Sequence, residues 1–240
     1  MAERAALVTG ASSGIGLGIA KVLVGAGYAL TVSSRRPEKL AAAAEELRGA
    51  GFDVHEVAGN MADEETIKGV VAAHEERFGR LDVLVNNAGV GVGAPAAEHQ
   101  TKRIDLQLSV NLRAIVLFYR ESLPLLRAAG TEHRNALVVN TSSISGKSGQ
   151  PWLSVYSATK AGVIGYTQAM NKELNGDGIK SVALCPGFVE TPMTEFVREH
   201  VPAEDMIRVE DVAEAVRFVL RTSPNCVIPE IVFQRPGETL

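Results

Sequence analysis

Cysteine is scarce in this chain of 240 residues: only Cys185 and Cys226 are present, far apart in sequence. Two such thiols make no disulfide framework, and a reducing cytoplasm is the natural expectation. Long uncharged apolar runs are missing, so nothing is expected to span or anchor in a membrane. The first strand is expected to begin at about Ala5, which leaves no room for a cleaved leader. Charge of one sign is not in excess: the net charge of -4 argues against nucleic acid or an acidic membrane as the main partner. The histidines (His55, His74, His99, His133, His200) share no ligand spacing with each other or with cysteine, so no metal site is expected. Asn140-Thr141-Ser142 matches a glycosylation acceptor, a match that is incidental in a cytoplasmic chain. Linkers, charge blocks, repeats and low-complexity tracts are absent too, which argues for one domain over residues 1–240.

What is present is a regular alternation of short apolar runs with longer helical patterns. Strands are expected at Ala5–Thr9, Tyr28–Ser33, Phe52–Val57, Leu81–Val85, Ala136–Thr141, Ser181–Cys185 and Val227–Phe233. Helices are expected at Gly14–Ala26, Pro37–Arg48, Asp63–Phe78, roughly His99–Ala129, Trp152–Asn175 and Glu210–Arg221, with Pro124 bending or ending the fourth. Near-continuous Val/Leu/Ala strands separated by helices imply a sheet buried on both faces. The fold class is therefore α/β: a doubly wound, mostly parallel, seven-stranded sheet with helices on both sides.

Thr9-Gly10-Ala11-Ser12-Ser13-Gly14-Ile15-Gly16 closes the first strand and opens the first helix. Glycines here allow a tight turn and close approach of the backbone to a pyrophosphate, and the helix end offers free N–H groups. The spacing, with three residues between Gly10 and Gly14, departs from the usual dinucleotide fingerprint. The second strand ends in Ser33-Ser34-Arg35-Arg36, with no carboxylate before Glu38. An acidic residue there would hold the ribose hydroxyl of NAD, whereas arginine suits the 2′-phosphate of NADP. Arg35, with Ser34 and Arg36, is expected to grip that phosphate. The plainer alternative is a pair of solvated arginines.

Tyr156-Ser157-Ala158-Thr159-Lys160 places a phenol and an ammonium one helical turn apart on one face. A free phenol, with a pKa of about 10, is a poor acid–base group at neutral pH. A neighbouring cation is expected to lower it, and a shift of roughly three units needs about 4 kcal/mol of differential stabilisation. Such a tyrosine suits proton transfer to or from a carbonyl oxygen.

With these residues assembled, the chain resembles the short-chain dehydrogenase/reductase family over essentially its whole length. The resemblance rests on the Thr9–Gly16 turn, Asn86-Asn87-Ala88-Gly89, Asn111, Ser143 thirteen residues before Tyr156, Lys160, and Pro186-Gly187 followed by Thr191. It implies a Rossmann-type domain and an NADP(H)-dependent oxidoreductase that interconverts a carbonyl and an alcohol. In that picture Ser143 holds the substrate oxygen, Tyr156 transfers the proton, and Lys160 binds the nicotinamide ribose and lowers the tyrosine pKa. Asn111 holds a water that links Lys160 to solvent, or else bonds backbone beside a helix irregularity. Asn87, Ala88 and Gly89 lie along the adenosine ribose, and Asn60 and Met61 lie near the adenine, with Asn60 standing where the family commonly has Asp. Pro186, Gly187, Val189 and Thr191 flank the nicotinamide. Ser142 competes with Ser143 for the catalytic hydroxyl, and the spacing to Tyr156 favours Ser143.

The resemblance also implies a homotetramer or homodimer built on the helices carrying Asn111 and Tyr156. A short lid is expected at about residues 191–208. Met193 and Phe196 either wall the substrate pocket or pack the lid down, and Gln150 and Trp152 are candidates for its far side. The C-terminal stretch from Pro229 to Pro236 lacks the family's usual Gly-Gly. An NAD-dependent alcohol dehydrogenase and a non-catalytic nucleotide-binding protein are the rival readings.

Overall fold

Strands β1 (Ala5–Thr9), β2 (Ala29–Ser34), β3 (Val54–Ala58), β4 (Val83–Asn86), β5 (Ala136–Thr141), β6 (Ile179–Pro186) and β7 (Glu230–Phe233) join in the order β3-β2-β1-β4-β5-β6-β7. All six pairings in the computed structural model, which describes residues 3–238, are parallel. That is one step beyond the mostly parallel sheet expected. The connections contain helices long enough for a crossover in each case: α1 (Gly14–Gly25), α2 (Pro37–Gly49), α3 (Glu64–Phe78), α4 (Thr101–Leu108), α5 (Ala114–His133), α6 (Ser154–Leu174) and α7 (Val209–Leu220).

The period of two along each strand sorts the core into two layers. Ala6, Val8, Leu30, Val32, Val85 and Val139 pack toward Ile19 and Leu23 of α1, Leu40 of α2 and Val212 and Val216 of α7. Leu7, Leu84 and Val138 pack toward Ile67 of α3, Phe118 and Leu126 of α5 and Val163 of α6. Among the described residues, no helix is long and apolar enough to cross a membrane.

Two local features differ from the sequence reading. The long helical region does not break at Pro124; α5 runs through it to His133. The proline withholds an N–H from the carbonyl of Arg120, and both residues lie on the exposed face, where water can satisfy that carbonyl. The irregularity lies earlier, around Asn111 as one of its two expected roles had it: Ser109–Arg113 forms a widened π-type turn between α4 and α5. The helix carrying Tyr156 starts at Ser154 rather than Trp152, because Trp152 has φ 68 and cannot continue a right-handed helix.

The strand order reverses between β1 and β4, which opens a crevice at their C-terminal ends. Because the sheet is parallel, the ends of β1, β2, β3, β4, β5 and β6 all reach this same edge. The segments that follow them are those holding Gly10, Arg35, Asn60, Asn87, Ser143 and Gly187.

Candidate active site

The turn after β1 is shaped by two glycines with positive φ, Gly10 at 66 and Gly14 at 54. Close approach explains the third: a Cβ on Gly16 would stand 2.4 Å from the carbonyl oxygen of Gly10. The side chain of Ser13, at the N-cap of α1, makes no capping bond, so the first-turn N–H groups keep their capacity for an anion. Ser12 is partly exposed and Ser13 exposed. Ile15 packs against the core, so its backbone N–H is what it offers.

Thr9, which the sequence reading passed over, ties this turn to the next strand. Its hydroxyl donates to the Val85 carbonyl at 3.2 Å and accepts from the N–H groups of Asn87 (3.0 Å) and Ala88 (3.1 Å). Asn87 answers by donating to the carbonyls of Thr9 and Gly10 and accepting from the Thr141 hydroxyl. A threonine closing the first strand immediately before Gly10 was the available signal.

At the end of β2, the Ser34 hydroxyl is buried and has no hydrogen-bond partner. Arg35 and Arg36 follow it, both exposed. An unpaired buried hydroxyl costs stability unless a ligand satisfies it, and two guanidinium groups beside it suit a phosphate. After β3, Asn60 is exposed and its carboxamide oxygen accepts from the Ala62 N–H at 3.2 Å. Met61 is different from expectation: its side chain is 5% exposed and belongs to the core cluster with Ile67 and Phe118. An unbranched apolar side chain buried there has only its backbone left for a ligand.

Tyr156 and Lys160 stand one turn apart on α6, with Ser143 brought to them by the end of β5. Ser142 and Ser143 part company as adjacent extended residues should. The Ser142 hydroxyl donates to the Lys160 carbonyl at 2.8 Å and is spent on structure. The Ser143 hydroxyl accepts from the Ser145 N–H at 3.1 Å and makes only a long bond, 3.4 Å, to the Pro186 carbonyl.

Lys160 is 3% exposed and donates to the Thr141 carbonyl at 2.8 Å. Burial pulls its pKa down to about 8. Its ammonium lies 5.5 Å from the centre of the Tyr156 ring. The expected lowering of the tyrosine does not appear: burial pushes the Tyr156 phenol up, and the Ser143 hydroxyl offsets only part of that. Desolvation disfavours both the phenolate and the ammonium, and it is the largest influence on each.

Asn111 sits in the widened turn, fully buried. Its oxygen accepts from the Val90 N–H at 2.8 Å, and its nitrogen donates to the Val90 carbonyl at 2.8 Å and to the Thr159 hydroxyl at 3.1 Å. Both amide hydrogens are thus used on protein, and one lone pair of the oxygen remains for water. Gly89 lies between the two groups: a Cβ there would be 3.5 Å from the Asn111 oxygen and 3.6 Å from the Lys160 nitrogen.

Beyond β6, the Gly187 N–H donates to the Phe233 carbonyl at 2.9 Å. Val189 is 2% exposed and its carbonyl accepts from the Thr194 hydroxyl at 2.6 Å, so its side chain faces the core. Thr191 reaches over the first turn, its methyl 3.0 Å from where a Cβ on Gly14 would be. Glu238 was not anticipated. Its carboxylate accepts from the Arg235 N–H at 3.1 Å and fills the space beside Gly187, 2.7 Å from where a Cβ would be. A tail without Gly-Gly therefore still folds back against Pro186-Gly187.

A family model described as short chain dehydrogenase matches residues 4–202. A putative ketoacyl reductase of the granaticin polyketide synthase of Streptomyces violaceoruber is 43% identical over 200 residues, 83% of this chain and 72% of that protein. The 3-oxoacyl-(acyl-carrier-protein) reductase FabG of Thermotoga maritima is 32% identical over 234 residues, 94% of each. Among solved structures, a variant of actinorhodin polyketide ketoreductase with NADPH superposes with a TM-score of 0.87 at 35% identity, covering 97% of each chain. An alcohol dehydrogenase from Thermococcus sibiricus complexed with 5-hydroxy-NADP gives 0.86 at 28% identity, covering 98% of this chain and 99% of that one. With the phosphate turn, the Tyr156/Lys160 pair and Ser143 all at one sheet edge, the chain belongs to the short-chain dehydrogenase/reductase family.

Proposed function

We propose that this protein is an NADP(H)-dependent reductase of ketone or aldehyde groups, with Tyr156 as its proton donor. The observation that carries the reading is the convergence of Tyr156, Ser143 and Lys160 at the sheet edge that also bears the glycine turn. The choice of phosphate form rests on the buried, unpartnered Ser34 hydroxyl and the arginines after it. The first-turn N–H groups of α1, Ser12 and Ser13 would hold the pyrophosphate, and Ser34, Arg35 and Arg36 the 2′-phosphate. Asn60, the backbone of Met61, Asn87, Ala88 and Gly89 would line the adenosine side. Lys160, Pro186, Gly187, Thr191 and the backbone of Val189 would flank the nicotinamide. When bound, the cofactor supplies hydride to the carbonyl carbon.

The remaining work belongs to the chain. As charge develops on the carbonyl oxygen, the Ser143 hydroxyl donates a hydrogen bond to it and Tyr156 delivers its proton. Burial favours the protonated form of the phenol, the form that donates when a carbonyl is reduced. Lys160 supports the phenolate left behind, and Asn111, through its free lone pair, holds the water that returns a proton. Residues 191–208 form the lid.

Relatives named as ketoacyl and 3-oxoacyl reductases support a 3-oxoacyl substrate. Two unpaired cysteines fit a cytoplasmic setting. Leu108 and Val116, 43% and 38% exposed along α4 and α5, support assembly into a homotetramer or homodimer there.

Titration with NADPH and NADH in parallel tests the reading. NADPH should bind more tightly, and Arg35→Ala should weaken it by roughly tenfold or more while leaving NADH unchanged. Tyr156→Phe should keep NADPH binding and lose at least about 100-fold in turnover. Equal affinity for both nucleotides, or full activity in Tyr156→Phe, would overturn it.

A further inference from the structure

Trp152 is the only tryptophan of the chain, and its place is costly. A bulky residue with φ 68 is strained, and its side chain is 52% exposed although it lies beside the proposed catalytic phenol. The strain is held by specific contacts. The Ala94 N–H donates to the Trp152 carbonyl at 2.9 Å. A Cβ on Gly93 would stand 2.4–2.6 Å from three atoms around the ring fusion of the indole, so one ring face lies flat on that glycine. Two residues earlier, a Cβ on Gly91 would be 3.8 Å from the Tyr156 ring. The segment Gly91-Val92-Gly93 therefore runs from the phenol to the indole, its end Cα atoms at most about 7 Å apart.

Across from the indole stands Phe196, from the helical turn at Pro192–Val197. Its ring centre is 6.4 Å from that of Trp152, tilted by 51°, and it is 60% exposed. Met193 on the same turn is 50% exposed. Packing the lid down would bury such side chains, and these remain half open. Two aromatic faces and a thioether next to the site of proton transfer are surfaces for stacking on a flat π-system.

We propose that Trp152 and Phe196 select the carbon frame of the substrate: a ketone whose carbonyl is joined to a planar aromatic or conjugated ring system, in preference to a saturated frame of the same size. The proposal rests on the reductase reading, because it takes the carbonyl to lie at Tyr156. Gly93 is part of the device, since any side chain there would lift the indole from its seat.

The test is a matched pair, a bicyclic aryl ketone and its fully saturated counterpart, each assayed by NADPH oxidation and by equilibrium dialysis with NADP+ present. In the parent protein, kcat/KM should favour the aryl ketone by about tenfold or more, carried mainly by KM. Trp152→Leu and Gly93→Ala should bring the ratio near unity, Phe196→Leu should reduce it, and Trp152→Phe should restore most of it. The aryl ketone should also quench the fluorescence of Trp152 at concentrations where the saturated one does not. A thermal melt confirms folding of each variant. Turnover of both ketones without preference, or a preference that survives Trp152→Leu, would overturn the proposal and leave the reductase reading standing. Preferential binding of the aryl ketone with no turnover of either ketone would sink the reductase reading, and with it the placing of the carbonyl at Tyr156, while showing that the aromatic frame is selected.

Discussion

Ser142 and Ser143 are chemically identical neighbours, and what separates them is where the end of β5 points each one. Ser142 is 2% exposed and its hydroxyl is committed to the Lys160 carbonyl at 2.8 Å. It holds the start of α6 against the sheet. The Ser143 hydroxyl accepts from the Ser145 N–H at 3.1 Å, but its own hydrogen is held only by a long, replaceable bond to the Pro186 carbonyl at 3.4 Å, so it can turn to a substrate oxygen. Removing a donor aimed at developing negative charge commonly costs about 100- to 1,000-fold in turnover. Removing a neutral structural hydrogen bond costs about 1 kcal/mol of stability. Ser143→Ala should therefore lose roughly 100-fold or more in kcat, far beyond the stability effect of losing its bond from the Ser145 N–H, about 1 kcal/mol. Ser142→Ala should lower the midpoint by an amount equivalent to about 1 kcal/mol and keep most of its turnover. Activity assays and urea titrations on the two variants check this directly, and exchanged results would make Ser142 the oxyanion donor.

At the scale of elements, the widened turn Ser109–Arg113 links three pieces of the site. Its Asn111 side chain clamps both backbone groups of Val90, which begins the glycine-rich rim, and the Thr159 hydroxyl on α6. Thr159 itself donates to the Tyr156 carbonyl at 2.7 Å, so the clamp reaches the turn that bears the phenol. Asn111→Leu would strand the Val90 N–H and carbonyl in a buried setting, at about 1–3 kcal/mol for each unsatisfied group. The expected result is a stability loss of roughly 2–4 kcal/mol by urea unfolding, together with reduced turnover, whereas Thr159→Val should lose less of both. That Asn111 would bond backbone was one of its two expected roles; its partners Val90 and Thr159 were not legible beforehand. The glycine turn, Tyr-x-x-x-Lys and the strand pattern could be read because they depend on near neighbours and short periods. The turn at Ser109–Arg113 was implied only by the resemblance, which set Asn111 beside a helix irregularity, since nothing in Ser109-Val110-Asn111 itself marks an extra residue in a helix. Pro124 drew the expected break to the wrong place because its harmlessness depends on exposure. Trp152, Thr9 and Glu238 gained their roles from partners 59, 78 and 51 residues away, at Gly93, Asn87 and Gly187.

For the molecule as a whole, the response to acid is concentrated at the buried foot of the sheet, on the edge away from the site. His74 of α3 is 0% exposed, wedged between the Thr31 hydroxyl of β2 and the carbonyl of Arg80, each at 2.8 Å. A carbonyl only accepts, so Nε2 must carry the proton and Nδ1 accepts from Thr31; the ring is satisfied while neutral. Burial pushes its pKa down to about 4, against the pull of the Arg80 carbonyl. In the unfolded chain the same ring titrates near 6.5. Between those two values the unfolded chain binds a proton that the folded one refuses. Stability therefore falls as pH drops through this window, by about 3 kcal/mol in all, and His74 adds no further loss below it. Asp82, close by, acts at lower pH. Burial raises its carboxyl, but Arg80, the Ala5 N–H and His133 together hold it below the usual value, so its contribution is lost only as the carboxylate itself takes up a proton. Against a typical total of about 5–15 kcal/mol, the histidine alone can set the acid limit of the fold. Urea unfolding at pH 7 and at pH 4.5 should show the parent losing much of that 3 kcal/mol. His74→Gln should start less stable at pH 7 and show a clearly smaller loss between the two pH values, because no imidazole remains to be charged. An equal pH slope in parent and variant would place acid sensitivity elsewhere, with the Asp82 cluster the first place to look.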